Sequence, residues 1–96
     1  MVNWSELFEQ DRTVFHCETE EIANTLLGIA DNLGYKWCNS ESFLDHNQWN
    51  SYGNSTCYDI DDGEFCFLQF YNVRHYNVIN VKQLLEQKVP RLLKRK

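Results

Sequence analysis

Thr56-Cys57-Tyr58-Asp59-Ile60-Asp61-Asp62-Gly63-Glu64-Phe65-Cys66-Phe67-Leu68-Gln69-Phe70-Tyr71 is the stretch on which the fold turns. Two aromatic-rich runs flank Asp61-Asp62-Gly63, and Asp-Gly between apolar runs is a strong hairpin signal. With Asp62-Gly63 as a two-residue loop, Ile60 is expected opposite Phe65 and Tyr58 opposite Phe67. The second run, residues 64–71, carries Phe65, Phe67, Phe70 and Tyr71 and is apolar on both faces as a strand. One face can be covered by a helix. The other requires a second helix or a partner chain, so a homodimer or larger homo-oligomer is expected.

Working back toward the N-terminus, Thr13-Val14-Phe15-His16-Cys17-Glu18 reads as a strand with Phe15 and Cys17 on one face. Thr19 is a good helix N-cap, and Glu20 and Glu21 follow where the helix dipole favours anions. Ile22, Leu26, Ile29 and Leu33 recur with helical spacing, and Gly34 suits a left-handed C-cap. Asn3, with Glu6 three positions on, starts a short first helix carrying Trp4, Leu7 and Phe8. Tyr35-Lys36-Trp37-Cys38 reads as a second strand. Residues 39–56 are polar and aromatic without a clean period, with a turn of helix expected around residues 43–49. A loop this long in a compact domain is usually functional or disordered, and Trp49 and Tyr52 argue against disorder.

Downstream, residues 72–75 turn the chain and residues 76–80 form a last strand. Asn80 caps a terminal helix over residues 81–89 that Pro90 ends. The expected fold is α+β, with a mainly antiparallel sheet of about four to five strands. One main helix packs on a face, with short helices at the termini. The domain spans residues 1–89 and is followed by a basic C-terminal tail, residues 90–96.

The 96 residues suffice for one domain, and 43% hydrophobic with 15% aromatic content excludes wholesale disorder. No run of about 18 apolar residues occurs, so no membrane span is expected. Met1–Glu6 lacks a basic region followed by an apolar one, so a small soluble cytosolic domain is expected. Charge is split along the chain. Arg12, Lys36, Arg74 and Lys82 stand against all 14 acidic side chains within residues 1–87. Lys88, Arg91, Lys94, Arg95 and Lys96 follow with no acid among them. An acidic body repels phosphate backbones, which argues against direct nucleic-acid binding through it. It can instead solvate the protein or imitate nucleic acid toward a basic partner.

Chemistry-bearing motifs are sparse. Cys17, Cys38, Cys57 and Cys66 form no Cys-x-x-Cys pair, and with His16, His46 and His75 they show no zinc spacing, so no metal is expected. Without a secretory signal, free buried thiols are expected rather than disulfides. His16 and Cys17 point to opposite faces of a strand and cannot form a dyad. Asp59, Asp61 and Asp62 beside Gly63 make a hairpin turn more simply than an acid–base pair. No catalytic residue and no cofactor is assigned, and a non-enzymatic protein is expected. The segment from Trp37 to Tyr58 combines aromatic faces with amides that hydrogen-bond in both directions, as nucleotide recognition requires. Candidate ligand-binding residues are Lys36, Trp37, His46, Asn47, Trp49, Asn50, Tyr52, Tyr58 and Arg74. Trp37 and Tyr58 can equally belong to the core.

The set Phe15-His16-Cys17-Glu18-Thr19-Glu20-Glu21, Leu33-Gly34-Tyr35-Lys36-Trp37, Trp49 and Thr56-Cys57-Tyr58 resembles a family of small phage and prophage accessory proteins. The resemblance runs from about Thr13 to about Leu85, and members often have Gly where this chain has Ser40. It implies a phage-encoded counter-defence protein. In one mechanism the protein sequesters a nucleotide-type immune signal in a pocket built from residues 37–58. In the alternative its acidic surface occupies a basic groove on a host defence protein or nuclease, as some anti-CRISPR proteins do. An orphan regulator or structural accessory factor is a third possibility.

Overall fold

The structure, a computed structural model, describes residues 2–86. The expected end of the last helix at residues 87–90 and the basic tail, residues 90–96, lie outside the described residues. Helix α1 (Trp4–Phe8) is capped by Asn3, whose Oδ1 accepts from the Glu6 amide at 3.1 Å. Strand β1 (Thr13–His16) leads into α2 (Glu20–Asn32), where Thr19 Oγ1 accepts from the Ile22 amide at 3.2 Å. At the other end Gly34 takes φ +98°, the Gly34 amide donates to Asp31 O and the Tyr35 amide to Ala30 O. That double bond is a Schellman cap, which satisfies carbonyls the helix end would leave open.

The chain then forms two single 3₁₀ turns, Trp49–Ser51 and Gly53–Ser55. Strands β2 (Thr56–Asp59) and β3 (Glu64–Phe67), helix α3 (Leu68–Asn72), strand β4 (Asn77–Asn80) and helix α4 (Val81–Glu86) follow. The four strands form one sheet in the order β3-β2-β1-β4. Strand β2 is antiparallel to β1 and β3, whereas β4 runs parallel to β1, from Thr13↔Asn77 to His16↔Asn80. The fold is thus α+β, but its sheet is mixed. The parallel pairing arises because α3 turns the chain away from β3 instead of continuing the meander. The chain crosses to the far edge and enters β4 from the end where β1 begins.

Three further expectations are corrected. Residues 35–38 are not a strand: the Trp37 amide donates to Glu41 O and the Cys38 amide to Gly63 O, two bonds to different partners rather than a ladder. The hairpin is looser by two residues on one side, with Tyr58 opposite Phe65 and Cys57 opposite Cys66. Its loop is Ile60 to Gly63, and Ile60 is buried in the core instead of pairing. The strand expected over residues 64–71 stops at Phe67, and Leu68 to Asn72 coil into α3.

The sheet buries both faces. Phe15, Tyr58 and Cys17 pack on one side with Phe8 of α1, with Ala23, Leu26, Leu27 and Ala30 of α2, and with Val81 of α4. The buried stripe of α2 is therefore rotated from the expected one, leaving Ile22 and Ile29 half-buried and Leu33 45% exposed. On the other side Val14 and Cys57 pack against Tyr71, with Cys66, Leu68, Phe70, Tyr76 and Val78 around them. Helix α3 supplies this second cover, so the chain itself shelters the face for which a partner was the other option. Among the described residues no helix is long and apolar enough to cross a membrane.

Candidate functional site

Residues 37–55 form a loop held down by its own side chains and by Tyr58 of β2. The Trp37 indole lies edge-on to Phe43 with ring centroids 4.7 Å apart, and its Nε1 donates to His46 O at 2.9 Å. Tyr58 is fully buried, and its hydroxyl donates to Asn47 O at 2.6 Å. Trp49 Nε1 donates to Cys17 O at 3.3 Å, fastening the first 3₁₀ turn to the end of β1. Asn47 is the hub: its Nδ2 donates to Glu20 Oε2 at 2.8 Å and to Asn24 Oδ1 at 3.0 Å, while its Oδ1 accepts from the Trp49 amide. Ser42 Oγ donates to Asp31 Oδ1 at 2.9 Å. These bonds explain why so polar a segment is ordered: side chains satisfy backbone groups that no strand or helix pairs.

Between this loop and α2 lies a cleft of about 500 Å³. Leu27 and Phe43 form its apolar base, and Asn24, Leu44, Asp45, His46, Asn47, Gln48, Asn50 and Ser51 line its walls. Of the nine candidates, His46, Asn47 and Asn50 meet here. Trp37, Trp49 and Tyr58 stand outside the lining, their polar atoms spent on the loop and on β1. Tyr52 lies away from the lining as well, with its ring 5.9 Å from Phe65 and 5.4 Å from Phe67. Lys36 is exposed beside the hairpin turn, where its carbonyl abuts Gly63. Arg74 stacks on Phe70 and accepts at its carbonyl from Arg12, next to the start of β1 and β4. No Lys or Arg of residues 2–86 lines the cleft.

Asn24, Gln48 and Ser51 belong to the lining but carry no distinguishing sequence signal. Asn24 sits on the polar side of α2, and only the docking of the loop turns that side into a wall. Gln48 adopts φ +59°, a left-handed conformation that starts the 3₁₀ turn and that a sequence pattern does not announce.

Elsewhere the chemistry is structural. Cys17 and Cys57 are buried, and burial pushes both thiols up, away from the thiolate that would react. His16 Nε2 lies 2.7 Å from Asn54 O, on the opposite side of β1 from Cys17. Among the described residues no three His, Cys, Asp or Glu side chains converge as metal ligands would. No protein-family model, curated protein or solved structure matches the chain.

Proposed function

We propose that this protein is a non-enzymatic binding protein that sequesters a small nucleotide-type ligand in the cleft between α2 and residues 43–51. The observation that carries the reading is the gathering of Asn24, His46, Gln48, Asn50 and Ser51 around one cleft of small-ligand size, over the apolar base of Leu27 and Phe43. Amides, imidazole and hydroxyl together donate and accept, which suits the hydrogen-bonding edge of a base and the hydroxyls of a ribose. With Asp45 at the rim and no Lys or Arg in the lining, phosphates would face solvent and selectivity would rest on the base and sugar. The resemblance to phage accessory proteins supports reading the activity as counter-defence in the bacterial cytosol, with an immune signal as the proposed ligand.

The test is a thermal-shift screen of the pure protein against nucleosides, linear and cyclic nucleotides and ADP-ribose derivatives. A ligand at about 100 times its dissociation constant adds roughly 2.7 kcal/mol, which in a domain of this size raises Tm by roughly 10 °C or more. The expected result is a shift with one compound class that Asn50→Ala with Ser51→Ala removes while leaving the unliganded Tm near wild type. Trp49→Ala and Tyr58→Ala cannot serve here, because both would release the loop itself. No shift across the panel would sink the reading.

A second reading rests on a different observation. The described residues hold all 14 acids against four bases, and the ion pairs among them, Glu41–His46 at 3.7 Å and Glu18–Lys82 at 3.9 Å, are both solvent-exposed. Such a body suits a basic groove on a host defence protein or nuclease. Binding of that kind would weaken steeply with salt and would be indifferent to Asn50 and Ser51.

A further inference from the structure

Strand β3 forms one edge of the sheet, and the hydrogen-bonding phase decides which of its backbone groups face out. The Cys17 amide donates to Thr56 O, so Thr56 and Tyr58 bond toward β1, and Cys57 and Asp59 toward β3. Their register partners Cys66 and Glu64 therefore bond inward, and Phe65 and Phe67 turn their backbone groups outward. The same phase turns Gly63 outward, and its carbonyl accepts from the Cys38 amide at 3.0 Å. Cys38 thus closes the hairpin end of this edge, while among the described residues no neighbouring strand or loop amide closes it at Phe65 and Phe67. We propose that a second copy of this chain closes it. The two β3 strands pair antiparallel about a two-fold axis at Cys66, joining two four-stranded sheets into one.

Three observations favour this occupant. The first is register. Pairing about Cys66 sets Phe65 of each copy opposite Phe67 of the other, so the outward groups of β3 meet one another. Pairing about Phe65 would instead need Gly63, whose carbonyl Cys38 already holds. The second is apolar surface. Phe67 and Tyr52 are each 39% exposed, and the Tyr52 ring lies 5.4 Å from Phe67 and 5.9 Å from Phe65. An edge strand with an aromatic flank and neither Lys nor Pro is a template for pairing, and here it sets Phe65 beside the second copy's Phe67.

The third is charge, which changes sign across Cys66. Asp59, Asp61, Asp62 and Glu64 precede it, whereas residues 67–75 hold no acid and carry Arg74. The Arg74 guanidinium lies over the Phe70 ring at 3.7 Å, and that ring is 6.1 Å from Phe67, so the cation stands near the Phe67 end of β3. Antiparallel pairing about Cys66 brings the second copy's Glu64 opposite Leu68, at this cationic end. The two Glu64 residues stay four positions apart along the strands, about 14 Å, which is beyond a Debye length at physiological salt.

Cross-linking and sedimentation of the full-length chain test the pairing. Facing residues of a non-hydrogen-bonded antiparallel pair have Cα atoms about 4.5 Å apart, within disulfide range, so the two Cys66 thiols can be joined. The exposed Cys38 is first replaced by Ser, which keeps its backbone bond to Gly63. Diamide oxidation of Cys38→Ser is expected to give a dimer linked through Cys66, identified by peptide mass spectrometry and lost when Cys66→Ser is added. Sedimentation equilibrium is expected to show a monomer–dimer equilibrium. Phe67→Lys should weaken that dimer by about tenfold or more with an unchanged far-UV circular dichroism spectrum. A chain that stays monomeric over a hundredfold range of concentration would overturn the proposal. A dimer that gives no Cys66 link, or that is indifferent to Phe67→Lys, would overturn it too by assigning the contact to another surface. This edge is separate from the ligand cleft, so either proposal can fail alone.

Discussion

At Gly63 the chain has no room for a side chain. Its φ is +70°, and a Cβ there would come within 2.5 Å of Cys38 N and Lys36 O. Both neighbours are backbone, so they cannot swing aside, and the Cys38 amide must stay close because it donates to Gly63 O. Gly63→Ala is therefore expected to cost more than about 2 kcal/mol, combining left-handed strain with the clash. Urea unfolding monitored by tryptophan fluorescence checks it, and a near-neutral result would mean the 36–38 segment does not rest on the hairpin. Asp59 offers a second test at this scale. Burial lifts its carboxyl to about 6, the Asp62 amide pulls the other way, and Asp62, Glu64 and Asp61 push it further up. An unfolded Asp titrates near 4, so the folded protein holds this proton more tightly. The contribution of Asp59 to stability is fullest below pH ~4 and is lost as pH rises through about 6. Asp59→Asn keeps the acceptor for the Asp62 amide, so it should match wild type near pH 4 and exceed it in stability at pH 7.5. Equal stabilities at both pH values would contradict the assignment. Ser40 stands at φ +76°, the left-handed region glycine favours.

Among the elements, α2 is the most fully legible in sequence. Thr19, Glu20, Glu21 and Gly34 mark its ends through local hydrogen bonding and dipole effects that depend on no distant residue. Thr19→Ala should therefore cost about 1 kcal/mol, seen as a lower urea midpoint with an unchanged slope. The face it buries is less legible, because Ala23, Leu27 and Ala30 were as eligible as Ile22, Ile29 and Leu33 until the loop and α4 took up their positions. The hairpin shows the same division. Asp-Gly announces a turn, but the register follows from the burial of Ile60, which gains more in the core than as an edge partner of Phe65. Residues 68–72 misled because aromatic runs read as strand, while covering the second sheet face outweighed that preference.

For the molecule as a whole, burial on both sides of the sheet sorts the four thiols. Cys38 is exposed, Cys66 half-buried, and Cys17 and Cys57 buried. A thiol-reactive disulfide reagent should modify Cys38 fast and Cys66 more slowly. Cys17 and Cys57 should react only as fast as the protein unfolds, and their rates should rise together in sub-denaturing urea. Mass spectrometry of the labelled peptides resolves the four. Early labelling of Cys57 without Cys17 would show that α3 lifts off independently, exposing the second face of the sheet alone.

The α+β class, the start of α1, the two ends of α2, the existence of the hairpin and the charge split were legible in the sequence alone. Each depends on a residue and its near neighbours, or on composition. The parallel pairing of β4 with β1, the strand register and the conversion of residues 68–72 to helix were decided only by tertiary structure. Each of them follows from which surfaces are left to bury once other elements are in place. The candidate site divides the same way. That residues 39–56 hold a long polar and aromatic connection could be read directly. That Trp37, Trp49 and Tyr58 secure the loop while His46, Asn47 and Asn50 face a cleft with Asn24 could not. A buried indole and one that stacks on a ligand are the same residue in sequence, and only the packing around it distinguishes them.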